Sequence, residues 1–157
     1  MEKMYPHAET RAKFEYPPDG LMHFQDFVKA DELRNPTTVD ENGEECLIVV
    51  KNGTNTGVTL GRATGIVSFL RDYNEYGAIC STSVEIPVYA YSHKDGAFSN
   101  CGDSGSVICD GKSRIFGMLT GCTGQNDITD VTYVTPYYFM NDRIKKAFPN
   151  SYFYPMA

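Results

Sequence analysis

The residues best equipped for chemistry in this chain are Cys101-Gly102-Asp103-Ser104-Gly105-Ser106. A serine hydroxyl attacks a carbonyl effectively only if it stands clear of the backbone. Two N–H groups must also point at the oxygen that turns negative. Gly102 suits that second need, because without a Cβ it adopts dihedrals that aim its N–H at the oxygen. Gly105 leaves room for a substrate beside the serine. Asp103 is placed to pin the loop by burying its carboxylate against a partner. Val107 and Ile108 follow, so the string reads as a tight turn entering a buried strand. A solvent-exposed Gly/Ser turn is the plainer alternative.

Short apolar segments surround this loop. Cys46-Leu47-Ile48-Val49-Val50 has the composition of a buried strand, and residues 52–57 read as a turn rich in Asn, Gly and Thr. Residues 62–71 form a second strand, with Gly65 marking a bend or bulge. Residues 83–91 alternate Val84, Ile86 and Val88 with Glu85, Pro87 and Tyr89, as a half-exposed strand does, and Pro87 suggests an edge. Residues 106–109, 114–120 and 131–135 complete a set of six, with a turn at Asp110-Gly111. Thr135 as N-cap and Pro136 as first helical residue open a helix. Arg143, Lys145 and Lys146 suit its C-terminal end, and Pro149 stops it. The expected class is all-β: a six-stranded antiparallel barrel over residues 45–157 with a C-terminal helix. Residues 1–44 carry Pro6, Pro17, Pro18 and Pro36 and little periodicity. They read either as an extended arm packing along something else or as a partly disordered tail. Residues 21–33 could hold a short helix or a strand.

The totals narrow the function. At 157 residues the chain suits one domain with a proper core. A net charge of −6 argues against nucleic-acid or anionic-membrane partners, and no apolar run approaches a membrane span. The first sixteen residues carry no apolar signal region, which favours a cytoplasmic protein. The odd set Cys46, Cys80, Cys101, Cys109 and Cys122 favours free thiols, and without a C-x-x-C pair no zinc site is expected. Asn126-Asp127-Ile128-Thr129-Asp130 lacks calcium-loop spacing and reads as a surface turn. No metal or cofactor is expected. Tyr133, Tyr137, Tyr138 and Phe139 read as helix-to-barrel packing. Tyr152, Phe153 and Tyr154 would cover apolar surface or meet a partner.

Four stretches together carry a family resemblance. The run Val50-Lys51-Asn52-Gly53, continuing through Thr56, Gly57, Thr59 and Gly61, resembles the opening of the second barrel of trypsin-like serine peptidases of bacterial and fungal type. Gly102-Asp103-Ser104-Gly105-Ser106 resembles their nucleophile loop. Ile115-Phe116-Gly117-Met118-Leu119-Thr120-Gly121 resembles the strand lining their cleft. Thr132-Tyr133-Val134-Thr135-Pro136 resembles their C-terminal closure. The segment Tyr16-Pro17-Pro18-Asp19-Gly20-Leu21 also resembles the linker of uncharacterised fungal proteins related to these peptidases. The resemblance implies Ser104 as nucleophile and the N–H groups of Gly102 and Ser104 as the oxyanion hole. It implies Thr120, Gly121 and Cys122 as the edge that pairs with substrate backbone. Phe98 would set the floor of the specificity pocket with Ser99 beside it, and no acid there favours Lys or Arg substrates. Cys122 departs from the family's usual glycine and would narrow the entrance.

The family's general base His and its orienting Asp come from a first barrel upstream, and a serine without a base is a weak nucleophile. His7 and His23 lie in the arm, and His93 lies in what reads as an exposed turn. The chain therefore resembles the second half of a two-barrel serine endopeptidase, a truncated, processed or degenerated copy that is inactive alone. The expected partners are a peptide or protein substrate and either the missing first barrel or a second copy. An apolar face left by that missing half should self-associate or be covered by the arm. The alternative function is a non-catalytic module that binds peptides or proteins through the retained cleft.

Overall fold

A computed structural model describes residues 2–13, 15, 17–92, 94–123 and 130–152. Its elements in chain order are α1 (Ala8–Arg11), β1 (Asp26–Phe27), α2 (Ala30–Arg34), β2 (Leu47–Gly53), β3 (Gly57–Ala63), β4 (Ser68–Tyr73), β5 (Ile79–Ala90), β6 (Val107–Asp110), β7 (Arg114–Cys122), β8 (Thr132–Pro136) and α3 (Tyr137–Ala147). The chain is mostly β-sheet. Six strands close into a hydrogen-bonded ring, β2-β3-β5-β8-β7-β6, with every contact antiparallel. Ring closure pairs each of these six strands on both sides over part of its length, leaving β4 and the loop side of residues 120–122 of β7 as open edges among the described residues. Among the described residues, no helix is long and apolar enough to cross a membrane.

Alternation builds the interior. Leu47 and Val49 of β2 face inward with Ala63 of β3, Ile86 and Val88 of β5, Ile108 of β6, Phe116 and Leu119 of β7 and Val134 of β8. Burying such side chains is the main favourable term in folding, roughly 1.5–3 kcal/mol for each large one. Tyr138 of α3 packs against this cluster. A smaller cluster of Cys46, Ile48 and Tyr91 is covered by Leu60 and by Met4 from the arm.

The arm is packed rather than free. β1 runs parallel to β7, pairing Asp26 with Arg114 and Phe27 with Ile115. β8 begins its own pairing with β7 only at Gly117, so β1 extends the sheet where β8 does not reach. Val28 and Leu33 are fully buried members of the main core, so residues 21–33 hold both a strand and a helix.

The second strand expected over residues 62–71 is two strands. Gly65 takes φ +81°, and an added Cβ would lie 2.7 Å from the Arg34 carbonyl at the end of α2. It breaks the chain between β3 and β4 instead of bending one strand. β4 then pairs with the first half of β5 as a hairpin. Pro87 sits in an internal strand, not at an edge. β5 pairs with β4 up to Glu85 and with β3 only from Val88, so Pro87 lies in a gap on that side while standing opposite Tyr133 of β8 on the other. The helix starts one residue later than the capping pattern implied. Pro136 still pairs with Gly117 in β8 and serves as N-cap. The Thr135 hydroxyl is engaged elsewhere.

Candidate nucleophile loop

Residues 98–106 lead into β6, and the carboxylate of Asp103 holds this stretch together. Its Oδ1 accepts the Asn55 N–H at 2.7 Å, and its Oδ2 accepts the Thr56 hydroxyl at 2.6 Å and the Asn100 N–H at 3.1 Å. Beneath it lies Lys51, whose Nζ is 3.3 Å from Oδ2, with both side chains fully removed from solvent. Lys51 also donates to the Thr56 hydroxyl at 2.5 Å, so Thr56 links the two charges. The Lys51 ammonium stands 5.5 Å from the Phe98 ring centre. Gly53 makes room for the carboxylate, since an added Cβ there would lie 2.5 Å from Asp103 Cγ.

Burial alone would raise the pKa of Asp103. The hydrogen bonds from Thr56, Asn55 and Asn100 outweigh it and hold the carboxyl well below its usual range. Burial pushes the Lys51 ammonium down, and Asp103 restores only part of that shift. A depressed carboxylate pKa adds stability above the ordinary value of 3.8, and that contribution drains away as pH falls through the folded-state value. Acidification below pH 3.8 is therefore expected to lower the unfolding free energy, and Asp103→Asn to make that decline shallower. Urea titrations across this range measure both slopes, and equal slopes would refute the assignment.

Above this anchor the backbone folds tightly. The Asp103 N–H donates to the Asn100 carbonyl at 3.0 Å and the Ser106 N–H to the Asp103 carbonyl at 3.1 Å. Gly102 and Gly105 take φ +98° and +89°, conformations that favour glycine. Ser104 stands between them, exposed to solvent. Among the described residues, the N–H groups of Gly102 and Ser104 have no backbone or side-chain acceptor. Two free donors flanking an exposed hydroxyl are what an oxyanion needs.

The loop is stitched to the end of β7. The Gly105 N–H donates to the Leu119 carbonyl at 2.8 Å, and the Leu119 N–H to the Ser106 carbonyl at 3.0 Å. Beyond Leu119, β8 holds one side of β7 through Gly121 and Cys122, after an irregularity at Thr120. Among the described residues no strand pairs with the loop side of Thr120, Gly121 and Cys122. Thr120 is fixed by a hydroxyl chain: its Oγ1 is 2.7 Å from that of Thr135, which donates to the buried Glu85 carboxylate at 2.8 Å. The alternation over residues 83–91 puts Glu85 on the outer face, but the structure buries it, and Lys51, read only within the family resemblance, is buried as well.

Phe98 and Ser99 lie next to the loop but inside the core. Both are 2% exposed. The Phe98 carbonyl accepts the Thr59 hydroxyl at 2.6 Å, and the Ser99 hydroxyl is 2.6 Å from that of Thr132. The Phe98 ring belongs to the main core and is not open to solvent beside the loop. His23 pairs with Asp19 at 2.7 Å in the arm, and His7 lines a cavity at the other end of β6. His93, like Asn126 to Thr129, Phe153 and Tyr154, falls outside the described residues. The general base for Ser104 is therefore not visible among the described side chains.

Comparison with protein-family models and with curated proteins gives no match.

Proposed function

We propose that this chain is a trypsin-like serine-peptidase module, its ring of strands corresponding to the family's second, C-terminal barrel. The observation that carries the reading is the exposed Ser104 between two positive-φ glycines, over a carboxylate locked by Lys51. In this reading Ser104 Oγ gives its proton to a base and adds to the peptide carbonyl. The developing oxyanion takes the N–H groups of Gly102 and Ser104. The amine leaves with the proton, and water then releases the acyl group from Ser104. The open side of Thr120, Gly121 and Cys122 holds the substrate backbone as an added strand.

The base comes from outside the described residues, carried by a partner that brings His and Asp. The purified chain alone is accordingly expected to hydrolyse peptides no faster than its Ser104→Ala variant. Ser104-dependent turnover by the chain alone would refute the claim that it lacks a base.

The second reading, a non-catalytic module that binds peptides, is favoured by the same unpaired β7 edge, and among the described residues no histidine hydrogen-bonds Ser104. It differs in one measurable respect. A module of that kind binds peptide with or without Ser104 and never forms a covalent adduct there.

A further inference from the structure

A cavity of about 330 Å³ lies at the far end of β6 from Ser104, and the peptidase reading makes no use of it. Its walls are Val39 and the start of β2, Leu47 and Ile48, and its roof is the arm segment Met4-Tyr5-Pro6. The roof is fastened, because the Tyr5 hydroxyl donates to the Gly111 carbonyl at 2.5 Å. Gly111 lets the ring sit close, since an added Cβ would lie 3.2 Å from the Tyr5 ring. The volume is in the range of small-molecule sites, which are mostly apolar with a few polar groups. The hollow is partly open to solvent, and water is held weakly along its mostly apolar lining.

The charges at the cavity select the occupant. Two carboxylates reach it, Glu32 and Asp110, and Arg114 bridges both, at 2.6 Å and 2.8 Å, so the three together carry one net negative charge. That leaves Lys13 and Lys112, both exposed at the lining and neither in an ion pair among the described residues. A chain of net charge −6 thus presents unpaired positive charge beside an apolar chamber. We propose that this chamber binds a small amphiphile with an apolar body and a carboxylate head. The body lies against Val39, Leu47 and Ile48 under the Tyr5 roof, and the head meets Lys13 and Lys112. This site is independent of the Ser104 reading.

Calorimetric titration of the full chain with decanoate below its micellar concentration tests the proposal. Saturable one-to-one binding is expected, weakened about tenfold in the Lys13→Glu/Lys112→Glu variant, as for loss of a charge-assisted contact. Decyltrimethylammonium is expected to bind at least as weakly as decanoate does to that variant. Val39→Trp, which fills the chamber, should abolish decanoate binding while circular dichroism shows an intact fold. The charge variant changes exposed residues only, so it decides the matter if Val39→Trp does not fold. No saturable decanoate binding by the wild-type chain overturns the proposal. So does undiminished binding in either folded variant.

Discussion

Lys51→Met is expected to lower the unfolding free energy by about 3–5 kcal/mol, a large share of what holds such a domain together. The reason is asymmetry. Lys51 and Asp103 are both sealed from solvent, and removing the ammonium leaves a buried carboxylate that still has to be ionised against its neighbours. The remaining hydrogen bonds from Asn55, Asn100 and Thr56 soften that loss without cancelling it. Asp103→Asn should also cost several kcal/mol, because it strands the ammonium beside the Phe98 ring. The two changes together should cost less than the sum of their separate effects, with a coupling of roughly 1–3 kcal/mol. Chemical denaturation of the two single variants and the double variant gives all three values. A Lys51→Met protein within about 1 kcal/mol of wild type would show that the pair does not anchor the loop.

Gly102→Ala is expected to separate stability from chemistry. At φ +98° an alanine is strained, which costs roughly 1–2 kcal/mol. An added Cβ would meet little else, its nearest neighbour being the Asn55 Cβ at 3.9 Å. Relief of the strain therefore rotates the peptide and moves its N–H away from the oxyanion position. When an external base such as imidazole drives acylation of Ser104, the rate should fall on the order of a hundredfold. The matched control is Gly77→Ala in the β4–β5 turn, where φ is +76° and nothing lies within 4 Å. It carries similar strain and should leave the rate unchanged. Gly111 does not serve as the control, because its φ is not positive and its Cα faces the Tyr5 ring. Equal rate losses at Gly102 and Gly77 would mean that the loop is only a turn.

The strands were legible only in part. Residues 46–49 are buried as their apolar run implies, and Ile86 and Val88 face the core, whereas the alternation over residues 83–91 fails at Val84, which is exposed, and at Glu85, which is buried. The same period points Lys51 inward, two residues past Val49, and Gly53 two residues further on. That signal was present and carries the anchor of residues 98–106. What pairs with what was less legible. The two-sided pairing of β8 with β5 and β7 closes the ring across long sequence separations. Gly65 reads equally well as a bulge or a break until the α2 carbonyls are seen against it. Thr135 looks like a helix cap in one dimension and proves to be a link between Thr120 and Glu85 in three. Val28 and Leu33 were hidden because a two-residue strand and a five-residue helix are too short to leave a period. In the site, the Ser104 hydroxyl and the glycines could be read from residue type alone. The burial of Phe98 and Ser99 could not, because it depends on how Thr59 and Thr132 approach them.

The most direct test of the central claim is fluorophosphonate labelling of the full chain with imidazole as external base, followed by mass-spectrometric mapping of the modified serine. Ser83 of β5 is an exposed serine outside the loop and serves as the internal reference. A preformed oxyanion site predicts rapid modification at Ser104, none above background at Ser83, and loss of the fast reaction in Ser104→Ala. Modification of Ser104 no faster than Ser83 would contradict the peptidase account of this loop.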